Sequence, residues 1–365
     1  MTDSLDTLFA PLSVGSMRIP NRFAMAPMTR RASPGGVPGP DVAAYYARRA
    51  AGGVGLIITE GVRLADPVAA WPPSIPTLAG KDAVAGWRAV TDAVHAHGAV
   101  IAAQLWHQGA ERDASDGLEP VSPSGLNSVG VAGGRALRTE ELPGVAAQYA
   151  EAARNAVDAG FDAVELHGAH GYLLDEFLWD KTNRRTDAYG GSVAARTRFP
   201  AEVVAAVRGA VGPEFPIVYR FSQWKANVYD ARLADSPAEL EAVLRPLVEA
   251  GVDVLHPSTR RHYVPAFSGS DLSLAGWTKK ITGIPVIGVG SVGLATEFRP
   301  GSRTGDLIAA APVDRMLEQF EAGEFDIVAV GRALLADPAW VNRVRDNSLD
   351  GFAGYHAETA LARLY

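Results

Sequence analysis

Ala163-Val164-Glu165-Leu166-His167-Gly168-Ala169-His170-Gly171-Tyr172-Leu173-Leu174 is the stretch around which the rest of the chain arranges itself. Its opening is short and mostly apolar, the mark of a buried strand. Where that strand should end, two histidines stand three apart, and a tyrosine follows two further on. At a strand end all three can converge on one small volume. Two imidazoles there can grip an oxygen, and a phenol can supply a proton.

Runs of the same kind recur on both sides. With Ala163–His167, the pattern predicts eight strands, the others at Phe23–Met28, Val54–Thr59, Val100–Trp106, Pro216–Phe221, Val252–His256, Pro285–Val289 and Phe325–Val330. They are nearly continuous in hydrophobicity, as parallel strands buried on both faces are. Helical patterns fall between them at Ala43–Ala51, Asp82–His97, Glu141–Ala159 and Val193–Val211, and another helix starts at Pro312. The helix after the fifth strand opens on Ser236-Pro237-Ala238-Glu239, a capping box with proline at the first helical position. Ahead of everything, Leu12–Gly15 and Met17–Pro20 form a small hairpin. The expectation is an α/β fold: a (β/α)8 TIM barrel with an N-terminal β-hairpin and long βα loops, residues 1–365 forming one domain. An open sheet of the same elements is the alternative. Two connections are long, Glu111–Arg138 and Gly290–Ala311. Both follow strands, so both fall on the face where barrel active sites lie, and loops this long are usually lids or binding loops.

Composition bounds the function. Of 365 residues, 47% are apolar and 21% charged, which suits a globular protein with a large core. A net charge of -7 gives no reason to expect nucleic acid or an anionic membrane as partner. With no cysteine, disulfides, thiolate metal sites, cysteine-held iron–sulfur clusters and cysteine nucleophiles are all excluded. The N-terminus lacks the pattern of a signal peptide, and no apolar run approaches the ~20 residues of a membrane span. A cytoplasmic protein is expected.

Polar groups collect where the strands end. Gly290-Ser291 after strand seven and Gly331-Arg332 after strand eight occupy the two places where barrels commonly hold a phosphate. Glycine lets backbone approach closely, and arginine can clasp with two hydrogen bonds. Either dipeptide alone would be a tight turn; together they favour phosphate binding. Arg220 stands inside an apolar strand, where it needs a partner. That partner is either a buried carboxylate, Glu60 or Glu165, or an electron-rich ring. Gln104 offers a donor and an acceptor to a uracil-like edge, and Thr29 can donate to a carbonyl. Phosphate, planar ring and cation together suggest flavin mononucleotide (FMN). The competing reading of His167 and His170 is a metal pair with His107 as third ligand. Against it, barrel metallohydrolases usually begin with histidines on the first strand, which here ends in Met and Thr.

These residues resemble the Old Yellow Enzyme family of flavin-dependent ene-reductases. The likeness runs from Leu8 to about Trp340 and rests on Asn21–Arg30, Gln104–His107, His167–Leu174 and Asn183–Ser192. The resemblance implies FMN at the C-terminal face of a barrel, NADPH or NADH as reductant, and activated C=C bonds of carbonyl or nitro compounds as substrate. Carried over, Pro27, Met28, Thr29, Gly61 and Gln104 would line the isoalloxazine and Arg220 would face its N1/C2=O edge. Gly290, Ser291, Gly331 and Arg332 would hold the phosphate. His167 and His170 would bind the substrate oxygen, Tyr172 would donate the proton, and Trp106 and Trp224 would shape the substrate pocket. Thr29 stands where one branch of the family has a cysteine. Ser222-Gln223-Trp224-Lys225 and the basic His256–Tyr263 depart from the family's usual loops. Other classes are a hydrolase or lyase barrel, with Lys225 the nearest candidate for a Schiff base, and a non-catalytic flavin-binding protein.

Overall fold

The structure is a computed structural model, and it describes residues 2–297, 307–362 and 364. Eight parallel strands close into a barrel, each hydrogen-bonded to its neighbours in sequence and the last to the first. Numbered within the barrel they are β1 (Phe23–Met25), β2 (Leu56–Arg63), β3 (Val100–Trp106), β4 (Ala163–His167), β5 (Ile217–Ser222), β6 (Val254–Ser258), β7 (Ile287–Val289) and β8 (Ile327–Val330). The expected (β/α)8 barrel is therefore the observed one. Two boundaries differ by three residues or more, the rest by two or fewer. β1 stops at Met25, three residues early, because Pro27 has no N–H to continue the ladder; Ala26 N–H still donates to Val330 O at 2.9 Å. β2 runs four residues past Thr59, with its register against β3 slipping between Ile58 and Gly61.

The helices lie outside. Pro40–Ala51, Lys81–His95, Leu142–Asp158 and Val193–Val211 match the expected ones within a few residues. In Pro237–Glu249, Ser236 Oγ accepts from Glu239 N–H at 3.2 Å, and Glu239 reaches back to Asp235 N–H at 2.9 Å, one residue before the cap. The helix expected from Pro312 spans Asp314–Glu321. Leu274–Thr282 is a further helix that the apolar pattern did not single out. Its signals were its caps: Ser273 accepts from Gly276 N–H, Lys279 and Lys280 stand in its last turn, and Gly283 is left-handed at φ +73°.

Strand alternation sorts the core into two compartments. Ile57, Ile101, Leu255 and Val328 face the helices, whereas Leu56, Ile58, Ala102, Val218, Val254 and Ile327 face into the barrel. The N-terminal hairpin, Leu12–Val14 with Met17–Ile19, adds Val14, Met17 and Ile19 to the inner cluster and so plugs the barrel floor. Moving two residues toward the C-terminal end of a strand keeps the same facing. That step turns Ala102, Ala163, Val218 and Val254 into Gln104, Glu165, Arg220 and His256. One step more gives Trp106, His167, Ser222 and Ser258. The barrel interior thus changes from apolar floor to polar roof within about 7 Å of strand rise.

The loop Glu111–Arg138 is built around Arg112, which ion-pairs with Asp116, and a short parallel pair, Val121–Ser122 with Arg135–Ala136. Of the loop Gly290–Ala311, residues 298–306 lie outside the described residues. Its end, Leu307–Ala309, pairs antiparallel with Gly354–His356 near the chain's end. No helix among the described residues is long and apolar enough to cross a membrane.

Candidate active site

A cavity of about 470 Å³ opens at the C-terminal ends of the strands, within the range of small-molecule sites. Its wall carries Pro27, Met28 and Thr29 from the end of β1, Gln104 and Trp106 from β3, and His167, His170 and Tyr172 from β4 and beyond. Arg220 and Trp224 come from β5 and its loop, Gly290 and Ser291 from the end of β7, and Gly331 and Arg332 from the end of β8. Gly61, expected beside them, is not on the wall. It pairs with Gln104 across β2 and β3, and a Cβ there would come within 2.4 Å of the Trp106 ring. Its missing side chain makes room for that indole.

The three groups of the opening stretch do converge. The His167 and His170 rings stand nearly perpendicular with centroids 5.1 Å apart, and the Tyr172 ring meets His167 edge-on at 4.9 Å. Trp106 packs against Tyr172 at 5.0 Å, and Trp224 lies over His170 at 4.4 Å. The turn that brings His170 back over β4 needs a left-handed residue, and His170 itself adopts φ +66°. Its backbone is fixed on both sides: its N–H donates to Ser222 Oγ at 2.9 Å and its C=O accepts from Ala226 N–H at 3.0 Å. Next to it, Gly171 N–H donates to Asp175 Oδ2 at 2.6 Å, and Asp175 Oδ1 takes the Lys225 ammonium at 2.6 Å, both side chains fully buried. Lys225 is thus bound to a carboxylate behind the wall and is not presented to the cavity.

Burial, with the Arg220 charge second, pushes both His167 and His170 well below the usual histidine range, so both rings are neutral near pH 7. Ala169 N–H points at His167 Nδ1 at 3.4 Å, which puts the ring proton on Nε2. Burial and then Glu111 push the Tyr172 phenol up to about 12, and its hydroxyl makes no hydrogen bond among the described residues. A protonated phenol and two neutral imidazoles thus share one corner of the cavity.

Neither carboxylate considered for Arg220 is hydrogen-bonded to it among the described residues, although the charge of buried Glu165 acts on it. Glu60 accepts the N–H groups of Arg30 and Arg31, at 2.7 and 2.9 Å, and Glu165 bonds Gln104 and His256. Among the described residues the guanidinium makes one hydrogen bond, from Nη2 to Ser258 Oγ at 3.2 Å, and its buried Nε has no partner. At the opposite end, Arg332 Nη2 donates to Ser291 Oγ at 2.9 Å and to Thr296 O at 2.8 Å. Gly290 takes φ +146°, and a Cβ there would lie 2.6 Å from Thr259 Oγ1. His107, the third ligand of the metal reading, turns its Nδ1 to Gly109 N–H at 3.0 Å. Among the described residues no three metal-ligating side chains are grouped.

Of the wall residues that the sequence did not assign to the site, three bear on its geometry. Ser258 joins Arg220 to His170, whose Nε2 it meets at 2.8 Å; its signal was its place at a strand end inside a loop already marked as unusual. Tyr355 and Leu361 come from the C-terminal segment, which has no pattern of its own and is held at the wall by the Leu307–Ala309 pairing, by Arg332 over the Tyr355 ring and by Arg30 donating to Ala360 O.

A profile of the NADH:flavin oxidoreductase / NADH oxidase family matches residues 7–350. The chain belongs to that family. It is a member of the Old Yellow Enzyme group of NAD(P)H-dependent flavin oxidoreductases that the motif around His167 pointed to. An NADH oxidase from Thermoanaerobacter brockii is 35% identical over 352 residues; the match covers 93% of this chain but 50% of that relative, so the chain spans half its length. The 12-oxophytodienoate reductase 7 of Oryza sativa subsp. japonica is 34% identical over 365 residues, covering 93% of this chain and 88% of the relative. A structure of morphinone reductase in complex with tetrahydroNAD superposes with a TM-score of 0.80 at 32% identity, covering 97% of this chain and 93% of the other.

Proposed function

We propose that this family member is an FMN-dependent ene-reductase, using NADPH or NADH to reduce the activated C=C bond of an α,β-unsaturated carbonyl or nitro compound. One observation carries the reading: a neutral histidine pair and a protonated phenol overhang a cavity that has an incompletely partnered guanidinium at its base and an arginine–glycine pocket at its far end.

The residues fit FMN. Arg220 Nε is buried and unpartnered among the described residues, on the same cavity wall as Gln104, where an electron-rich ring edge would meet it. Gly290, Ser291, Gly331 and Arg332 would hold the phosphate on backbone amides and one guanidinium. Thr29, between Met28 and Arg30, would donate to a ring carbonyl. When bound, the flavin supplies the hydride chemistry. The chain supplies position and charge. His167, from Nε2, and His170 hold the substrate oxygen and stabilise negative charge that develops there. His170 exchanges the Ser258 hydroxyl for that oxygen, and Ser258 stays with Arg220. Tyr172 delivers its proton to the α-carbon, and Trp106 and Trp224 wall the pocket. The tetrahydroNAD in the morphinone reductase structure supports a nicotinamide as reductant.

The purified protein should be yellow with about one FMN per chain, and its flavin band should bleach on adding NADPH without oxygen. Colourless protein that also refuses added FMN ends this reading. NADPH oxidation driven by cyclohexenone then separates an ene-reductase from a protein that only stores flavin.

Arg332→Ala should weaken FMN retention far more than it slows the molecules still loaded, because Arg332 sits at the phosphate end. A loss of ~10-fold or more in FMN affinity is expected, the scale of a charge-assisted bidentate contact. Unchanged FMN content would assign the phosphate to another group.

A further inference from the structure

Below the cavity wall lies a buried carboxylate that the proposed reaction does not use. Glu165 is 0% exposed. Its Oε1 accepts from Gln104 Nε2 at 2.7 Å, and its Oε2 lies 2.6 Å from His256 Nδ1. His256 is also 0% exposed, and its Nε2 has no partner among the described residues. Neither Glu165 nor His256 reaches the cavity, whereas Gln104 and Arg220 both do. Register brings them together: Gln104 pairs with Glu165 across β3 and β4, His256 with Arg220 across β5 and β6, and His167 with Arg220 across β4 and β5. A carboxylate in a barrel core is expensive to bury, so a sequence that keeps one there needs a return for it.

Two consequences follow from the chemistry of the groups. An ionised carboxylate only accepts, so Glu165 fixes the Gln104 side chain with its NH2 turned toward β4. The Gln104 carbonyl and the second N–H then have a set orientation, an acceptor beside a donor, matching the N–H and C=O of an imide edge. The second consequence is electrostatic. Burial pushes Glu165 up, but the hydrogen bond from His256, the Arg220 charge and the hydrogen bond from Gln104 outweigh it and hold the carboxyl below its ordinary range. Burial likewise pushes His256 down against the pull of Glu165, so that ring is neutral. The cluster therefore carries one negative and one positive charge, and Arg220 acts on the cavity with its charge partly offset.

We infer that Glu165 is a positioning residue for the flavin: it sets which end of the Gln104 amide reads the ring edge and offsets the Arg220 charge that the reduced ring feels. This rests on the flavin reading above. Hydride uptake from NAD(P)H, which leaves as NAD(P)+, adds one negative charge to the ring, so the offset opposes reduction and lowers the bound flavin's potential.

The test is the midpoint potential of the FMN-loaded Glu165→Gln protein, by dye-coupled titration. The variant can keep both contacts: the new amide accepts from Gln104 with its oxygen and donates to His256 Nδ1, and His256 moves its proton to the unpartnered Nε2. Only the charge is lost. The potential should move positive, raising the reduced-to-oxidised ratio at a fixed applied potential by ~10-fold or more, the scale of one buried charge at short range. A potential equal to that of the parent protein overturns the inference. Should the variant fail to hold FMN, His256→Leu provides a second arm. It strips one donor from Glu165, on which Arg220 and Gln104 still act, with neutral His167 two residues further along the same strand. Its carboxyl then titrates at higher pH, and the potential should rise more steeply than in the parent as pH falls. An identical slope in the two proteins also overturns the inference. Parent protein that binds no flavin defeats the flavin reading itself, which is a separate outcome.

Discussion

Replacing Tyr172 with phenylalanine should lower enone turnover by ~10²-fold or more, the lower range for a lost general acid, while NADPH still reduces the flavin at a near-native rate. The ring sits edge-on between Trp106 and His167, and its hydroxyl bonds nothing among the described residues. Phenylalanine therefore keeps the packing and removes only the proton. Because burial raises the phenol to about 12, the parent enzyme's enone step should not lose its proton donor until strongly alkaline pH. Stopped-flow measurement of the two half-reactions separates the outcomes. A variant that slows flavin reduction and spares enone turnover would assign the proton to water or another residue.

The second large effect concerns the histidines. Replacing His167 or His170 with alanine should cost ~10²–10³ in enone turnover, the loss expected for one oxyanion donor. A phenol gives the sharper readout. Held as phenolate against the histidines and stacked on oxidised FMN, it should produce a long-wavelength charge-transfer band. Both rings are already neutral near pH 7, so the band should grow only with ionisation of the phenol itself. The double alanine variant should lose the band and keep its FMN, since neither histidine is assigned to the cofactor. Tyr172→Phe should keep the band. At φ +66°, position 170 suits asparagine better than alanine, so His170→Asn is the control that separates backbone strain from a lost donor. A band that survives in the double alanine variant would move the oxygen site elsewhere.

The eight strands were legible because both their faces are buried. Val100–Trp106 and Ala163–His167 read as near-continuous apolar runs and were placed to the residue. The helix Leu274–Thr282 escaped because it is short and signalled by its caps, Ser273 and Gly283, more than by a long periodic face. In the site, polar residues that break an apolar strand, Gln104 and Arg220, announced themselves, since such a break needs a partner. Gly61 was placed by motif alone, and motif does not report that a strand has slipped its register there. Glu165 and His256 were noticed only as a possible ion partner and as part of a basic loop. Their link spans two strands that lie 91 residues apart in the chain, and no local spacing encodes it. Tyr355 reaches the wall by a pairing between distant segments, which is equally invisible to a window of sequence.

The pair Lys225–Asp175 bears on how this scaffold can be re-engineered. Loops at the mouth of a barrel are commonly treated as cassettes to be exchanged for new selectivity. Here the segment after β5 carries Trp224 on the pocket wall, and one residue on it sends an ammonium beneath the surface to the carboxylate that tethers Gly171. A cassette spliced in without its lysine leaves Asp175 buried and unmatched, a defect of about 3–5 kcal/mol for a broken buried pair. Selectivity and catalysis therefore share a hinge pin in this chain. A library that randomises Trp224 and Ala226 while holding Lys225 constant varies the pocket; one that replaces the whole segment perturbs His170 and Tyr172 as well.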